Sequence, residues 1–377
     1  MIYLDHAATT PMRPGVWEAM APYSADVFGN PSGVHGASRG AKNALEDARE
    51  LIAGLIGANP LEIVFTSGGT ESDNLAIKGA VQANSGRNGL VTTAIEHEAV
   101  LESADFLKRF GFPVTIVGVD ESARVDPDEV ADAVNEETAV VSVMMVNNET
   151  GTVQDIAAIS AAAKTANPNV LVHTDAVQAF GCESIDVDDL GLDLVTISAH
   201  KFGGPKGSGI LYVREGSALE PVLHGGGQEL GRRSGTHDVA SAMGIATAAR
   251  LATEDRARFE TEIRALRDRF EGALSTGIED LQVNTPSEGR SSHHLNVRIP
   301  GVRNETLLML LDQRGVCASA GSACQSGAAT VSHVLEAMGL SPEAARESVR
   351  FTFGWTSTAE ESDEAAGLVI ELVSRLR

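Results

Sequence analysis

The stretch Leu194-Val195-Thr196-Ile197-Ser198-Ala199-His200-Lys201-Phe202-Gly203-Gly204 joins a mostly apolar run to a polar turn that contains a lysine. The apolar run predicts a buried β-strand, and the glycines predict a turn into a second strand over residues 209–213. Similar apolar runs alternate with helical patterns through the first two thirds of the chain. This alternation is typical of an α/β fold with a mostly parallel sheet.

Lys201 follows that predicted strand directly, where a side chain is placed to meet a ligand. A partly desolvated lysine amine can lose its proton and form an imine with a carbonyl compound. Asp175 ends another apolar run, residues 170–174. This pair suits pyridoxal phosphate, because the amine holds the aldehyde and the carboxylate keeps the ring nitrogen protonated. The alternative for Lys201 is a surface lysine beside an ordinary turn.

A glycine-rich turn, residues 66–72, follows a short predicted strand and precedes a helical pattern over residues 73–81. Such a turn exposes backbone N–H groups and the positive end of the helix dipole, which suits a phosphate. Thr70 adds a hydroxyl donor, and Ser198 and His200 could donate to the same phosphate. The alternative is an ordinary helix N-cap.

Four further polar side chains follow predicted strands. The His97 imidazole could lie flat against a pyridine ring and move protons, although a lone histidine is more often structural. Asn147 and Asn148 offer neutral amide donors, and Gln178 lies three residues after Asp175. Because ligands of open α/β sheets bind at the carboxyl ends of the strands, we expect these groups to share one site.

The charge balance is strongly acidic, with 52 Asp and Glu residues against 29 Lys and Arg and a net charge of −23. Nucleic acid is therefore disfavoured as a direct partner, because its phosphates would be repelled. Only six of the basic residues are lysines. An acidic, lysine-poor surface favours a protein from a high-salt cytoplasm over an ordinary acidic enzyme.

Cysteine content and the N-terminus bear on the compartment. Three cysteines in 377 residues do not form a disulfide framework. The N-terminus has no basic-then-apolar signal, and no apolar run approaches the ~20 residues that cross a bilayer. We expect a cytoplasmic protein with reduced thiols and no membrane partner. No Cys-x-x-Cys pair is present, so no zinc site is predicted.

Short motifs recur along nearly the whole chain in a fixed order. They occupy residues 3–11, 29–32, 68–72, 96–97, 147–149, 173–176, 225–229, 233–236 and 321–324. In sequence and order they resemble the cysteine desulfurases of the nitrogen-fixation and iron–sulfur-cluster type, within the class-V aminotransferase superfamily. Those enzymes use pyridoxal 5'-phosphate to convert L-cysteine to L-alanine and pass the sulfur to an enzyme cysteine as a persulfide. The sulfur serves iron–sulfur clusters or tRNA thiolation.

The resemblance implies a role for each matching residue. Lys201 forms the imine with the cofactor and later shuttles the α-proton, while His97 stacks on the ring and acts as an acid or base. Asp175 pairs with the ring nitrogen, and Gln178 with the ring hydroxyl oxygen. The phosphate contacts implied within one chain are Gly69, Thr70, Ser198 and His200.

Three further residues match family positions that complete the site. Thr236 matches a phosphate ligand donated by the neighbouring subunit, which implies a homodimer. Asn148 and Arg350 match the residues that hold the substrate carboxylate, and a guanidinium can grip a carboxylate bidentately. Without the resemblance, Arg350 would be interpreted as a salt-bridged arginine that begins a strand.

Cys324 lies among small residues at 320–330, a composition that predicts an exposed loop. Its thiolate could reach the substrate, attack the substrate sulfur and carry it outward. The alternative is a small apolar residue in a packed turn, but the resemblance assigns the persulfide to Cys324. Gln325 and the small tip at 327–329 depart from the family, so the acceptor, a cluster scaffold or a tRNA-thiolation enzyme, stays open. We expect Cys317 to be buried and Cys182 to be structural.

The expected architecture is that of fold-type I pyridoxal-phosphate enzymes. Residues 14–256 would form a large domain with a mostly parallel seven-stranded sheet. Residues 1–13 and 257–377 would form a smaller α+β domain that carries the cysteine loop. A helical pattern from 239 to about 274 should link the two, and a helix from Ala359 should end the chain.

Two other functions compete with this interpretation. A selenocysteine lyase or an aminotransferase relative would share the fold, and pyruvate or glutamate from cysteine would indicate transamination. A scaffold that only binds sulfur-carrier proteins would lack Lys201 or Cys324, and both are present.

Overall fold

The structure is a computed structural model that describes residues 1–83, 86–321 and 331–377. Cys324 lies outside the described residues, and its exposed loop stays a prediction. Across the described ranges, no helix is both long and apolar enough to cross a bilayer.

The described residues form a seven-stranded sheet and two smaller sheets. In the large sheet all neighbours are parallel except β8, which is antiparallel to both of its neighbours. The large sheet has the order β2-β8-β7-β6-β5-β3-β4, and the smaller ones have the orders β12-β10-β9 and β1-β11. This confirms the predicted α/β fold with a mostly parallel sheet. The strands are β1 Ile2–Tyr3, β2 Ile63–Thr66, β3 Gly89–Thr93, β4 Val114–Val117, β5 Thr138–Ser142, β6 Leu171–Asp175, β7 Leu194–Ser198, β8 Gly209–Val213, β9 Gln282–Val283, β10 His294–Arg298, β11 Val316–Cys317 and β12 Ser348–Thr352.

Helices cover both faces of the large sheet. On one face Leu75 and Leu107 pack with Val140, while on the other Ile52 and Ile245 pack in a cluster with Val141. Adjacent residues of one strand point to opposite faces, which explains why the central strands are apolar throughout. The helices are α1 Val16–Ala25, α2 Gly36–Leu55, α3 Gly69–Ala83, α4 Glu98–Arg109, α5 Pro127–Ala133, α6 Ile156–Ala166, α7 Val239–Glu254, α8 Arg256–Arg258, α9 Arg264–Gly277, α10 Asn304–Gln313, α11 His333–Ala337, α12 Pro342–Ala345 and α13 Ala359–Leu376.

A separate apolar cluster joins the start of the chain to its last third. Leu4 packs in this cluster with Phe270, Leu295, Phe351 and Val369. The parallel pairing of β1 with β11 brings the N-terminus to this cluster. A continuous helical segment runs through α7, α8, a π-helical turn at Phe259–Ile263 and α9, and it connects the two parts of the chain. The domain boundary at residues 256 and 257 stays a prediction.

The sheet topology brings distant strand ends together. Because β2 and β7 are both antiparallel to β8, they run parallel to each other. The carboxyl ends of β2, β3, β5, β6 and β7 therefore lie along one edge of the sheet. The turns that carry the predicted functional residues follow these ends.

Candidate active site

A cavity opens at this edge of the sheet, with about 590 Å³ of empty space that is partly open to solvent. That volume is in the range usual for small-molecule sites. Nine of the twelve residues predicted for the site line it, and Thr236, Arg350 and Cys324 are the other three. The lining residues are Ala8, Gly69, Thr70, Asp73, His97, Met144, Asn148, Asp175, Val177, Gln178, Ser198, His200 and Lys201.

Lys201 ends a 3₁₀ turn, Ala199–Lys201, directly after β7. Its Nζ donates to the backbone carbonyls of Ala7, at 2.5 Å, and Ala8, at 3.0 Å. The N-terminal segment therefore holds the amine at the cavity wall with two neutral acceptors. This position lets the amine meet a carbonyl compound that enters the cavity.

Asp175 is the last residue of β6 and is buried. Its Oδ1 accepts a hydrogen bond from the backbone N–H of Val177 at 2.8 Å. Burial raises the pKa of this carboxyl, while the nearby charges of His97 and Lys201 oppose the rise. A cationic N–H group in the cavity would favour the ionised carboxylate, because an opposite charge offsets the cost of burial.

The N-terminus of α3 forms the anion-binding end of the site. The helix begins at Gly69 and not at residue 73 as predicted, because the glycine-rich turn is itself the first helical turn. The backbone of the glycine-rich turn packs closely against the start of β8, since a Cβ on Gly209 would come within 2.6 Å of the Cα of Gly68. An adjoining open space is lined by this turn together with Ser198, His200 and Lys206. N–H groups, hydroxyls and a lysine make this a suitable phosphate site.

His200 supplies a neutral donor to the same region. Burial, and then the charges of Lys201 and Lys206, lower the pKa of its imidazole to about 4. A ring nitrogen, Nδ1, lies 3.1 Å from Oγ1 of Thr9. The imidazole is therefore uncharged at neutral pH and can act as a hydrogen-bond donor but not as a cation.

His97 caps the N-terminus of α4. Its Nδ1 accepts from the backbone N–H of Ala99 at 3.1 Å, and its Nε2 lies 3.5 Å from a carboxylate oxygen of Glu98. The cap sets the orientation of the ring at the cavity wall and leaves the hydrogen of the neutral ring on Nε2. The stacking role of His97 stays a prediction.

Gln178 and Asn148 both line the cavity wall. The Gln178 Nε2 donates to the carbonyl of Ala7 at 2.9 Å, so the N-terminal segment contacts both this amide and Lys201. The backbone carbonyl of Asn148 accepts from Nη1 of Arg350 at 2.8 Å. Arg350 lies behind Asn148 and not on the cavity surface.

Arg350 is buried in the middle of β12, and not at the start of the strand as the alternative interpretation had it. Its Nη2 lies 2.7 Å from Oδ1 of Asp5, while its buried Nε has no hydrogen-bond partner in the part of the chain that the structure describes. A substrate carboxylate would have to share the guanidinium with Asp5. The substrate-binding role of Arg350 stays a prediction.

Thr236 is exposed and does not line this cavity. Its loop contacts the start of α3, because Nε of Arg233 lies 2.8 Å from Oε1 of Glu71. The Gln228 side chain also accepts from the backbone N–H of Gly235 at 2.9 Å. The contribution of Thr236 to a neighbouring subunit stays a prediction.

The two described cysteines are poor nucleophiles. Cys182 is buried, and burial raises the pKa of its thiol. Cys317 is half-buried, so the expectation that it is buried is wrong, and desolvation also raises the pKa of its thiol. A raised pKa lowers the fraction of thiolate, which is the reactive form. Of the three cysteines, Cys324 therefore remains the candidate nucleophile.

Two charged residues at the site, Asp73 and Lys206, were not predicted from the sequence. Asp73 is buried in α3, and one of its carboxylate oxygens has no hydrogen-bond partner among the described residues. Burial, followed by the charge of Asp175, raises the pKa of this carboxyl. It interrupts the apolar face of α3 one turn before Ile77, and this is the signal that could have identified it. Lys206 follows Lys201 by five residues, in the same glycine-rich run.

The residues around the cavity fit pyridoxal phosphate on three observations. A lysine amine lies at the wall, a buried carboxylate lies at the end of β6, and a helix N-terminus with hydroxyl donors lies beside them. These groups suit the aldehyde, the ring nitrogen and the phosphate respectively.

Comparisons with known proteins agree with this chemistry. The family model described as aminotransferase class-V matches residues 2–364. The chain is 43% identical over 377 residues to a cysteine desulfurase IscS of Dictyoglomus turgidum, covering 100% of this chain and 95% of the relative. It is 46% identical over 382 residues to a cysteine desulfurase IscS of Pseudomonas aeruginosa, covering 100% and 93%.

Solved structures show the same likeness. A NifS-like protein superimposes with a TM-score of 0.93 at 36% identity, covering 99% of each chain. A structure of SspA in complex with cysteine gives a TM-score of 0.83 at 38% identity, covering 94% of this chain and 99% of the other. The chain belongs to the aminotransferase class-V family and, within it, to the cysteine desulfurases.

Proposed function

We propose that this cysteine desulfurase binds pyridoxal phosphate and L-cysteine in the cavity at the carboxyl edge of the sheet. The observation that carries the proposal is that Lys201, Asp175, His97 and the glycine-rich start of α3 line one cavity. These groups come from separate strands of a chain that matches cysteine desulfurases over its whole length. The overall reaction converts L-cysteine and the Cys324 thiol to L-alanine and a Cys324 persulfide.

The residues of the cavity divide between holding the reactants and moving protons. When bound, pyridoxal phosphate takes up electron density from the substrate Cα. Lys201 removes the Cα proton, for which a neutral amine is required. Asp175 keeps the ring nitrogen protonated, because its buried carboxylate gains by facing a cation. Asn148 and Arg350 orient the substrate through its carboxylate.

Sulfur transfer follows at the substrate side of the cavity. The Cys324 thiolate attacks the substrate sulfur, so that an S–S bond forms while the substrate Cβ–S bond breaks. The electron pair of the broken bond remains on the carbon, which is then protonated and becomes the methyl group of alanine. His97 takes up or returns the proton of the substrate thiol. No external oxidant is needed, because the two electrons given up when the S–S bond forms stay on the carbon that becomes the methyl group.

Two partners complete the proposal. Thr236 of a second copy donates to the cofactor phosphate, so the active form is a homodimer. A sulfur-acceptor protein, a cluster scaffold or a tRNA-thiolation enzyme, then takes the persulfide sulfur from Cys324. The exposure of Thr236 supports the first point, because an exposed hydroxyl can reach another subunit.

The decisive experiment mixes the purified protein with L-cysteine and measures alanine and the mass of the Cys324 peptide. We expect equal amounts of alanine and of one added sulfur atom on Cys324 in a single turnover. Lys201→Ala should abolish the visible absorbance of the bound cofactor, while Cys324→Ser should keep it and release no sulfide. A preparation that stays colourless with added pyridoxal phosphate, or a product of pyruvate in place of alanine, would refute the proposal.

A further inference from the structure

The described residues on both sides of segment 322–330 are attached to residues that adjoin the active-site cavity. This segment carries Cys324, and its two flanks are the described residues nearest to that cysteine along the chain. The flanks are defined here as the upstream flank, Ser319 to Gly321, and the downstream flank, Ser332 and His333. The inference that follows rests on the proposed function of Cys324.

The upstream flank pairs with the strand that carries Arg350. The backbone N–H of Arg350 donates to the carbonyl of Ser319 at 2.7 Å, and the N–H of Ser319 donates back at 3.2 Å. Gly321 then passes against Glu149. A Cβ on Gly321 would come within 2.9 Å of Oε2 of Glu149, so the glycine lets the backbone run close to the carboxylate without displacing it.

The downstream flank contacts the same carboxylate. The hydroxyl of Ser332 donates to Oε2 of Glu149 at 2.6 Å, and the same hydroxyl accepts from the N–H of Leu335 as the N-cap of α11. A ring nitrogen of His333, Nε2, lies 2.9 Å from the carbonyl of Glu96, the residue before His97. Both flanks therefore end on residues next to those that line the cavity.

Glu149 is itself fixed in a rigid turn. It is buried, its backbone N–H donates to Oδ1 of Asn147 at 2.9 Å, and its carbonyl accepts from Nδ2 of Asn296 at 3.2 Å. Burial raises the pKa of its carboxyl, while the hydrogen bond from Ser332 and the charges of His333 and Arg350 lower it. A buried carboxylate at this position is costly unless it makes specific contacts, and Ser332 of the downstream flank supplies such a hydrogen bond while Gly321 of the upstream flank packs beside it.

We infer that Glu149 is a positioning residue for sulfur transfer, whose carboxylate anchors the downstream flank of the Cys324 segment through Ser332 and packs against Gly321 of the upstream flank, beside Asn148. It touches neither substrate nor cofactor in this assignment. It acts by setting the distance over which the Cys324 thiolate must reach the substrate sulfur. Because misplacement of a reacting group by about 1 Å can cost ~100-fold in rate, loss of this contact should slow the transfer step selectively.

The test compares Glu149→Ala holoenzyme with wild type in two single-turnover measurements. The first is the change in cofactor absorbance when L-cysteine is added, and the second is the appearance of persulfide on Cys324 in quenched samples. We expect the absorbance change to keep its wild-type rate, and persulfide formation to fall about 10- to 100-fold. Glu149→Gln, which keeps an acceptor for Ser332, should recover part of the rate. Glu336→Gln, an exposed glutamate on α11, should behave as wild type.

The outcomes separate this inference from the proposed function. Absence of persulfide on Cys324 in the wild-type enzyme would overturn both. Normal wild-type transfer with equally fast transfer in Glu149→Ala would overturn only the role of Glu149, as would an equal loss in both measurements. If Glu149→Ala does not fold, Ser332→Ala removes one hydrogen bond to the carboxylate and should slow persulfide formation about tenfold. An unchanged rate in that variant would also contradict the inference.

Discussion

Replacing Glu229 with glutamine should destabilise the loop that carries Thr236, because the Glu229 carboxylate contacts both Arg49 and His237. Its carboxylate lies 2.8 and 2.9 Å from the guanidinium nitrogens of Arg49 and 2.7 Å from Nε2 of His237. The backbone of Glu229 and Leu230 has φ values of +50° and +57°, which non-glycine residues rarely adopt. These contacts offset the strain of that turn.

The size of the effect follows from the protonation of Glu229. Burial alone would raise the pKa of its carboxyl, but hydrogen bonds from His237 and Arg49 lower it from 4.5 to about 2. At ~1.4 kcal/mol for each pH unit, this difference stabilises the folded chain by about 3 kcal/mol at neutral pH. Breaking one partner of a buried ion pair costs 3–5 kcal/mol in other proteins, which is of the same order.

The assay is urea unfolding of wild type and Glu229→Gln between pH 7 and pH 3. We expect the variant to lose about 3 kcal/mol at pH 7. Because the folded-state pKa is lowered, the stabilisation is complete above pH 4.5 and is lost as the pH falls towards 2, so the gap between the two proteins should narrow. Glu254→Gln, which removes an exposed pair with Arg250, should cost no more than about 0.5 kcal/mol. A loss below about 1 kcal/mol at pH 7, or a gap that widens in acid, would refute the reasoning.

Three further predictions concern the active site. Asp175→Asn should still bind pyridoxal phosphate but lose about 100-fold or more in kcat, because the amide cannot stabilise a protonated ring; wild-type alanine production by this variant would contradict it. Arg350→Lys should raise the KM for L-cysteine about 10- to 100-fold while the cofactor absorbance is kept, since a single ammonium cannot bind a carboxylate bidentately. An unchanged KM would show that Arg350 pairs with Asp5 and does not bind the substrate. Burial raises the pKa of the Glu96 carboxyl from 4.5 to about 8. The free energy of unfolding should therefore fall as the pH rises from 4.5 to 8, because the buried carboxyl resists ionisation. Glu96→Gln should therefore gain stability relative to wild type over this range in urea unfolding, and a constant difference would refute the raised pKa.

Much of the site follows from local sequence pattern. Apolar runs of strand length, each followed by a polar or glycine-rich turn, place Lys201, Asp175 and His97 at strand ends. The parallel arrangement then brings those ends to one edge, so their meeting was predictable before any contact was known. The start of α3 was placed too late, because glycines at 68 and 69 resemble a loop although Gly69 begins the helix.

Other features required the tertiary structure. The ion pair between Arg350 and Asp5 joins residues 345 positions apart, and the contact of Glu149 with Ser332 joins residues 183 positions apart. Asp73 is a helix residue by sequence and becomes a cavity residue only because α3 packs over the end of β6. Local patterns determine which residues form strands, helices and turns, because they depend on neighbours along the chain. Contacts between distant segments depend on which apolar faces pack against each other, and the free energy of that burial arises only when the whole chain folds.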